Sequence, residues 1–220
     1  MTGSTFSADD FNKFYSTPDP WGIGHAFYRD KALRRCIARF TDGKSVLELG
    51  CGEGHLTGTV FAGAKRVHGV DISEVAIERA RAIGLPNATF ETADFLGASV
   101  RGYDVVTAIE CLYYLPPADQ DLFLAKVAAQ HRGKLLIVSG PIIGKTGRFN
   151  YFTHDALVCS FAKHGISVLQ FHNLNLRRHG FASAIADRIT ARLPLGGALL
   201  DRLPERWINQ RCYVALAASP

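Results

Sequence analysis

The stretch Ser45-Val-Leu-Glu48-Leu-Gly50-Cys-Gly52-Glu-Gly54-His55 decides the reading of this chain. The run ending at Leu49 has the length of a short buried strand, and glycines at every second position then break it. Glycine at such a strand-to-helix turn lets the backbone bend tightly and approach a ligand where a Cβ would obstruct. A dinucleotide fingerprint that began at Gly50 would need its last glycine where His55 stands. A P-loop would need a Gly-Lys-Ser/Thr ending, and the stretch has none.

Strands and helices alternate on both sides of this loop. Upstream, Asp19-Pro20-Trp21-Gly22 reads as a turn, His25 to Phe40 as a helix and Thr41 to Lys44 as a loop. Downstream, a helix closes at Phe61 and Ala62, and a strand from Arg66 to Val70 ends at Asp71. Ser73 can cap the next helix, which carries Ala76, Ile77 and Ala80 along one side and stops at Gly84-Leu85-Pro86. Thr89 to Glu91 is a third strand, followed by Ala93-Asp94-Phe95, and Tyr103 to Ile109 is a fourth, bordered by Glu110. Pro116-Pro117 opens a helix with Leu122, Phe123, Leu124 and Val127, and Lys134 to Ser139 is a strand stopped by Gly140-Pro141. His154 to Lys163 reads as a helix, Ile166 to Leu174 as a strand and Cys212 to Ala217 as a terminal strand. The stretch from Arg177 to Gln210 reads as helix and loop, with a break at Gly196-Gly197. The pattern predicts an α/β, Rossmann-like doubly wound sheet in one domain. The division expected is an N-terminal cap or lid over 1–40, a cofactor-binding core over 41–141 and a substrate-side part over 142–220.

Two acids follow Glu48 at a regular interval: Asp71 comes 23 residues later and Asp94 another 23 after that. In an open parallel sheet the carboxyl ends of the strands line the ligand crevice. A carboxylate at Asp71 suits two ribose hydroxyls. Asp94 can accept from an adenine amino group, and Ile72 and Phe95 offer flat apolar contact. The plainer alternative for each acid is a helix cap or a solvated loop; for Glu48 it is a strand-end acid satisfied by backbone N–H groups.

From Ser45 to Ser139 this acid–glycine pattern resembles the class I S-adenosylmethionine-dependent methyltransferases. The resemblance implies the strand order 3-2-1-4-5-7-6 with strand 7 antiparallel. It also implies S-adenosylmethionine as cofactor and S-adenosylhomocysteine as product. In that family the loop carrying Gly50, Gly52 and Gly54 passes the methionyl end of the cofactor, with Glu48 directed to the amino-acid group. The segment Tyr15-x-x-x-Asp19-Pro20-Trp21-Gly22, followed by Tyr28 and Lys31, resembles the entry segment of the nodulation protein S-like N-methyltransferases. Those enzymes methylate the amino sugar of a chitooligosaccharide. The likeness implies that Tyr15 and Trp21 lie over the cofactor as part of a lid; the alternative is a hydrophobic staple holding the N-terminal helix to the sheet.

After the fourth strand comes Glu110-Cys-Leu-Tyr113-Tyr114-Leu-Pro116. This fold's enzymes for base or glutamine amide nitrogens usually carry Asn/Asp-Pro-Pro-Tyr there, so those substrates are disfavoured. Glu110 has three readings: base, hydrogen-bonding anchor of the acceptor, or cap of the next turn. Tyr113 and Tyr114 are candidate walls of the substrate pocket. A hydroxyl acceptor would need a general base within reach, for which Glu110, His154 and His25 are candidates, whereas a neutral amine needs mainly positioning.

Composition narrows the class. With 220 residues, 47% hydrophobic and 20% charged, the chain is sized for one well-buried domain. Five scattered cysteines without a C-x-x-C pair suggest reduced, buried thiols and no metal site. The net charge of +5 lacks a run dense enough for nucleic acid, and leaves attraction of an anionic substrate as an option. The expectation is a cytoplasmic methyltransferase without a membrane span, acting on an amine or hydroxyl of a small molecule, amino sugars and oligosaccharides included. Two alternatives remain: a non-catalytic, cofactor-binding partner subunit that associates through Arg177 to Trp207, and an RNA-directed methyltransferase. A homodimer is compatible with either enzyme.

Overall fold

The computed structural model describes residues 6–22, 27–177 and 196–217. Seven strands form one sheet in the order β3-β2-β1-β4-β5-β7-β6. They are β1 (Ser45–Leu49), β2 (Arg66–Asp71), β3 (Ala88–Thr92), β4 (Val105–Ile109), β5 (Leu135–Pro141), β6 (Ser167–Leu176) and β7 (Ile208–Leu216). The first five run parallel, and β7 pairs antiparallel with both β5 and β6. The expected α/β order, with its antiparallel strand 7, is the one observed. The central strands β1 and β4 are buried at every position, as strands covered on both faces must be.

Alternation along these strands builds two cores. Leu47, Leu49, Val106 and Ala108 face a layer containing Phe123, Leu124 and Val127 of α5 (Pro117–Gln130) and Leu157 and Phe161 of α6 (His154–Lys163). Val46, Val105 and Ile109 face Leu33 and Ile37 of α2 (Phe27–Thr41) and Leu56 of α3 (His55–Thr59). On the β2–β3 side, α4 (Glu74–Ala82) buries Ala76, Ile77 and Ala80, and Ser73 caps it by accepting from the Ala76 N–H. A short α7 (Gly196–Asp201) packs near β6, where Asn173 Nδ2 donates to the Leu200 carbonyl.

Several boundaries differ from expectation. The helix after the glycines ends at Thr59, and Phe61 turns into the core instead of closing a longer helix. β5 runs on through Gly140 and Pro141, because β7 starts at Ile208, earlier than predicted, and pairs with that extension. Leu122 is exposed, since α5 buries the neighbouring Phe123 and Leu124 and turns position 122 outward. Cys159 is exposed, while Cys51, Cys111 and Cys212 are buried thiols. The polar N-terminal stretch holds an unpredicted helix, α1 (Ala8–Phe14), with a capping box. In that box Asp10 N–H donates to Ser7 Oγ, and Ser7 N–H donates to Asp10 Oδ2. His25 and most of the Arg177 to Gln210 stretch lie outside the described residues.

Gly69, inside β2, is tightly confined: a Cβ there would sit 2.7 Å from the Phe90 ring and 3.0 Å from Cys51 Sγ. Gly69→Ala is therefore expected to cost roughly 1–3 kcal/mol by overpacking. Gly69→Ala/Phe90→Leu should recover much of that loss in a thermal double-mutant cycle; additive losses would show that the ring is not the obstruction.

Candidate active site

One cavity of about 510 Å³ opens at the carboxyl ends of the parallel strands. The turn after β1, the end of β2, the segment after β3 and the end of β4 all reach it, as the topology of an open sheet requires. From the other side Phe6, Phe11, Tyr15, Asp19 and Trp21 cover it. No helix among the described residues is long and apolar enough to cross a membrane, and no cluster of three or more acids, cysteines and histidines there could hold a metal.

The floor of the cavity is the glycine turn. Gly50, Gly52 and Gly54 all have positive φ, at 69°, 53° and 79°. Their small size serves protein neighbours more directly than expected. A Cβ on Gly50 would lie 2.7 Å from Cys111 Cβ, and one on Gly52 only 2.6 Å from the Tyr15 hydroxyl. Gly54 faces Ala80 and Phe90 and does not line the cavity, so it admits helix α4 and not a ligand. Gly50 and Gly52 line the cavity as well as making these contacts.

Asp71 stands at the end of β2, nearly buried, with Oδ2 accepting from the Gly52 N–H and Oδ1 from the Ser73 N–H, each at 2.9 Å. Burial pushes its carboxyl above the ordinary range, and these backbone donors pull the other way. A carboxylate has about four acceptor sites, so two bonds leave room for a ligand's hydroxyls. Asp94 accepts from the Gly97 N–H at 2.5 Å and also lines the cavity, as do Phe95 and Ile72. Phe95 is held edge-on against Phe123, with centroids 5.2 Å apart.

Glu48 is placed differently. It does not line the cavity; it is buried on the α2/α3 side of β1, where the Thr57 hydroxyl donates to Oε2 at 2.5 Å. Its Oε1 has no partner among the described residues. Burial pushes this carboxyl up to about 8; the Thr57 bond opposes the shift and the nearby Asp71 charge reinforces it.

At the end of β4, Glu110 lines the cavity with a φ of 55°, a strained value for a non-glycine residue. Ser139 Oγ donates to its Oε1 at 2.8 Å and Gln210 Nε2 to its Oε2 at 2.7 Å. Tyr113 and Tyr114 follow on a 3₁₀ turn and also line the cavity, their ring centroids 4.8 Å apart. Burial raises both phenols well above their usual range, so they remain neutral.

The covering layer is tied down by polar contacts. Ser73 Oγ donates to Asn12 Oδ1 of α1 at 2.7 Å, and the Asp19 N–H donates to Glu53 Oε2 at 2.9 Å. Arg79 pairs with the other Glu53 oxygen at 2.5 Å. Trp21 Nε1 lies 3.4 Å from the Tyr15 hydroxyl, and Tyr15 itself is buried. The structure thus brings Tyr15, Trp21, Asp71, Ile72, Asp94, Phe95, Glu110, Tyr113 and Tyr114 together.

His154 is a correction to the expected site. It does not line the cavity: its ring stacks on Tyr213, with Nδ1 3.0 Å from the Tyr213 hydroxyl, where the antiparallel β6–β7 pair meets α6. Phe6, Phe11 and Gln210 were missed as lining residues. The Ser7-x-x-Asp10 capping box could have flagged the first two; Gln210 carries no local signal.

Glu48 has a consequence for stability. Its folded pKa is raised, so its contribution is present below about pH 4.5, its unperturbed value, and is lost as pH rises through about 8. Glu48→Gln stays neutral throughout. In ligand-free protein the variant should gain on the wild type steadily between about pH 5 and 8, by a few degrees in Tm, with the gap level above that. A pH-independent gap in a calorimetric series would contradict the assigned burial of a neutral acid.

Comparison with known proteins agrees with this geometry. Residues 46–132 match a family model described as "Methyltransferase domain". Among solved structures, the N-methyltransferase NodS from Bradyrhizobium japonicum, bound to S-adenosylhomocysteine, superposes with a TM-score of 0.67 at 14% identity, covering 96% of this chain and 97% of that one. A putative methyltransferase in complex with the Haloferax volcanii Trm112 methyltransferase activator gives 0.70 at 16% identity, over 98% and 99% of the two chains. The [4+2]-cyclase SpnF gives 0.63 at 17% identity, over 86% and 81%. The chain therefore has the fold of the class I S-adenosylmethionine-dependent methyltransferases, and residues 46–132 of it match the methyltransferase domain model.

Proposed function

We propose that this chain binds S-adenosylmethionine and transfers its methyl group to an amine or hydroxyl of a small molecule, a class that includes amino sugars and oligosaccharides. The observation that carries the reading is the convergence of Asp71 and Asp94, at successive strand ends, on one cavity floored by Gly50 and Gly52. The donor set fits the cofactor. Asp71 has acceptor capacity left for two ribose hydroxyls, Asp94 for an adenine amino group, and Ile72 and Phe95 provide apolar faces for the base. Glu48 acts from behind the turn, its unpartnered buried Oε1 being suited to a cationic amino group directly or through water.

Bound there, the cofactor supplies a methyl carbon activated by a sulfonium. The protein's own part is to hold the acceptor in line with it and to keep water out. We assign residues 1–40 the role of a lid, with Tyr15 and Trp21 closing over the floor; the Tyr15 hydroxyl lies against Gly52 in support of this. Glu110 stands at the acceptor side, where a carboxylate can receive a proton from a hydroxyl or hold an amine in place. Tyr113 and Tyr114 wall that side.

The test is binding first and turnover second. Calorimetric titration should show S-adenosylhomocysteine binding to the wild type. Asp71→Ala should weaken it by about 10- to 100-fold, the loss of hydrogen bonds to a charged group. Asp71→Asn, which keeps one acceptor for the backbone donors, separates ligand loss from damage to the turn, with circular dichroism reporting the fold. Unchanged affinity in both variants would remove the ribose assignment. Labelled-methyl transfer to a panel of amines, amino sugars and phenols then tests the activity.

A further inference from the structure

His55 lines the cavity, and the chemistry proposed above does not use it. In the sequence it stood only where a dinucleotide fingerprint would need a glycine. The fold gives it a definite setting. It is the first residue of α3, and its Nε2 lies 2.5 Å from Oδ2 of Asp30, a buried carboxylate on α2. Thr59, one turn further along α3, directs its hydroxyl at the same Asp30 oxygen from 3.4 Å. Opposite a carboxylate Nε2 is the donor, which fixes the orientation of the ring. Nδ1 has no partner among the described residues, and it is the ring nitrogen left for a ligand.

The sheet places His55 along the path of the cofactor. Asp94 follows β3, Asp71 ends β2, and His55 follows β1 through the glycine turn; these strands are neighbours in the order β3-β2-β1. With adenine at Asp94 and ribose at Asp71, the chain that leaves the ribose runs on to the end of β1. That chain ends in an amino-acid group, which carries a carboxylate as well as an ammonium. Among the described residues, every other charged side chain lining the cavity is itself an acid, so a ligand carboxylate meets like charge away from His55. Backbone donors of the turn are largely spent: the N–H groups of Gly50, Cys51, Gly52 and Gly54 donate to Val70, Asp71 and Cys51.

We propose that His55, oriented by Asp30, binds the carboxylate of the cofactor's amino-acid end. The imidazolium donates from Nδ1 to the ligand while Nε2 stays on Asp30, so one ring bridges two carboxylates. Glu48, held by Thr57 of the same helix, brings its unpartnered Oε1 to the end of β1 for the ammonium. The proposal rests on the methyltransferase reading and adds a discriminating contact to it: the site selects an adenosine ligand by its carboxylate. His55 is a binding residue, and Asp30 is a positioning residue.

S-adenosylhomocysteine, its decarboxylated analogue and 5′-methylthioadenosine share the adenosyl thioether and differ in the amino-acid end. Each is titrated calorimetrically at one neutral pH. For the wild type, removing the carboxylate should weaken binding about 10- to 100-fold, the loss of a hydrogen bond between charged groups. His55→Gln keeps an amide for Asp30 but carries no charge. It should weaken S-adenosylhomocysteine by a similar factor and leave the decarboxylated analogue and methylthioadenosine as they were. Asp30→Asn should lower the ratio between S-adenosylhomocysteine and the decarboxylated analogue without changing methylthioadenosine, which damage to the fold would also weaken. An unchanged ratio there would overturn the part given to Asp30. Equal wild-type affinity for S-adenosylhomocysteine and the decarboxylated analogue would overturn the proposal and leave the cofactor reading standing. So would a His55→Gln variant that binds S-adenosylhomocysteine as tightly as the wild type, or one that weakens all three ligands alike. If none of the three binds the wild type at millimolar concentration, the cofactor reading itself fails, and this proposal with it.

Discussion

The Val70 carbonyl accepts from both the Gly50 and the Cys51 N–H, at 2.8 and 3.0 Å, and Asp71 accepts from the next N–H, that of Gly52. These bonds fasten the turn after β1 to the end of β2. Three successive donors pointing at one strand end require a backbone that curls through the left-handed region, costly for residues with a Cβ. The glycines follow from that demand. So does the position of Asp71, held at the mouth of the cavity by the same contacts. The close approach then lets Cys111 pack under Gly50 and the Tyr15 hydroxyl settle against Gly52. Floor, wall and cover are consequences of one tied turn.

The carboxylates around this turn divide by environment. Glu48 is fully enclosed and raised to about 8, so it sits behind the turn as a neutral acid at neutral pH. Asp71 is nearly as buried, but backbone donors share its charge. Glu110 accepts from Ser139 of β5 and Gln210 of β7, on the far side of the sheet's centre. In the function proposed above, the first two acids serve the cofactor and the last stands on the side of the methyl acceptor.

Legibility in the sequence followed locality. β1, β2, α4 and α6 were readable because periodicity, a cap at Ser73 and breakers at Gly84 and Pro86 all act within a few residues. The positions of the acids at 71 and 94 were readable because parallel strands of similar length bring each strand end to the same edge. α1 was passed over because its signal is a capping box in a polar stretch, and its packing partners lie far along the chain: Phe11 meets Tyr114, and Phe6 just ahead of the helix stacks on Phe149. His154 looked available for chemistry, yet the antiparallel pairing of β6 and β7 carries Tyr213 onto its ring.

By itself the sequence determined the sheet, the glycine turn and the acids at its edge, since those depend on side-chain period and backbone freedom within short windows. Only the tertiary structure decided that Gly54 serves helix packing, that Glu48 lies behind the turn, and that Gln210 reaches across the sheet to donate to Glu110. Those relations join residues as much as 100 positions apart. Register between strands creates them, and register is a property of the folded sheet that no local stretch of sequence displays.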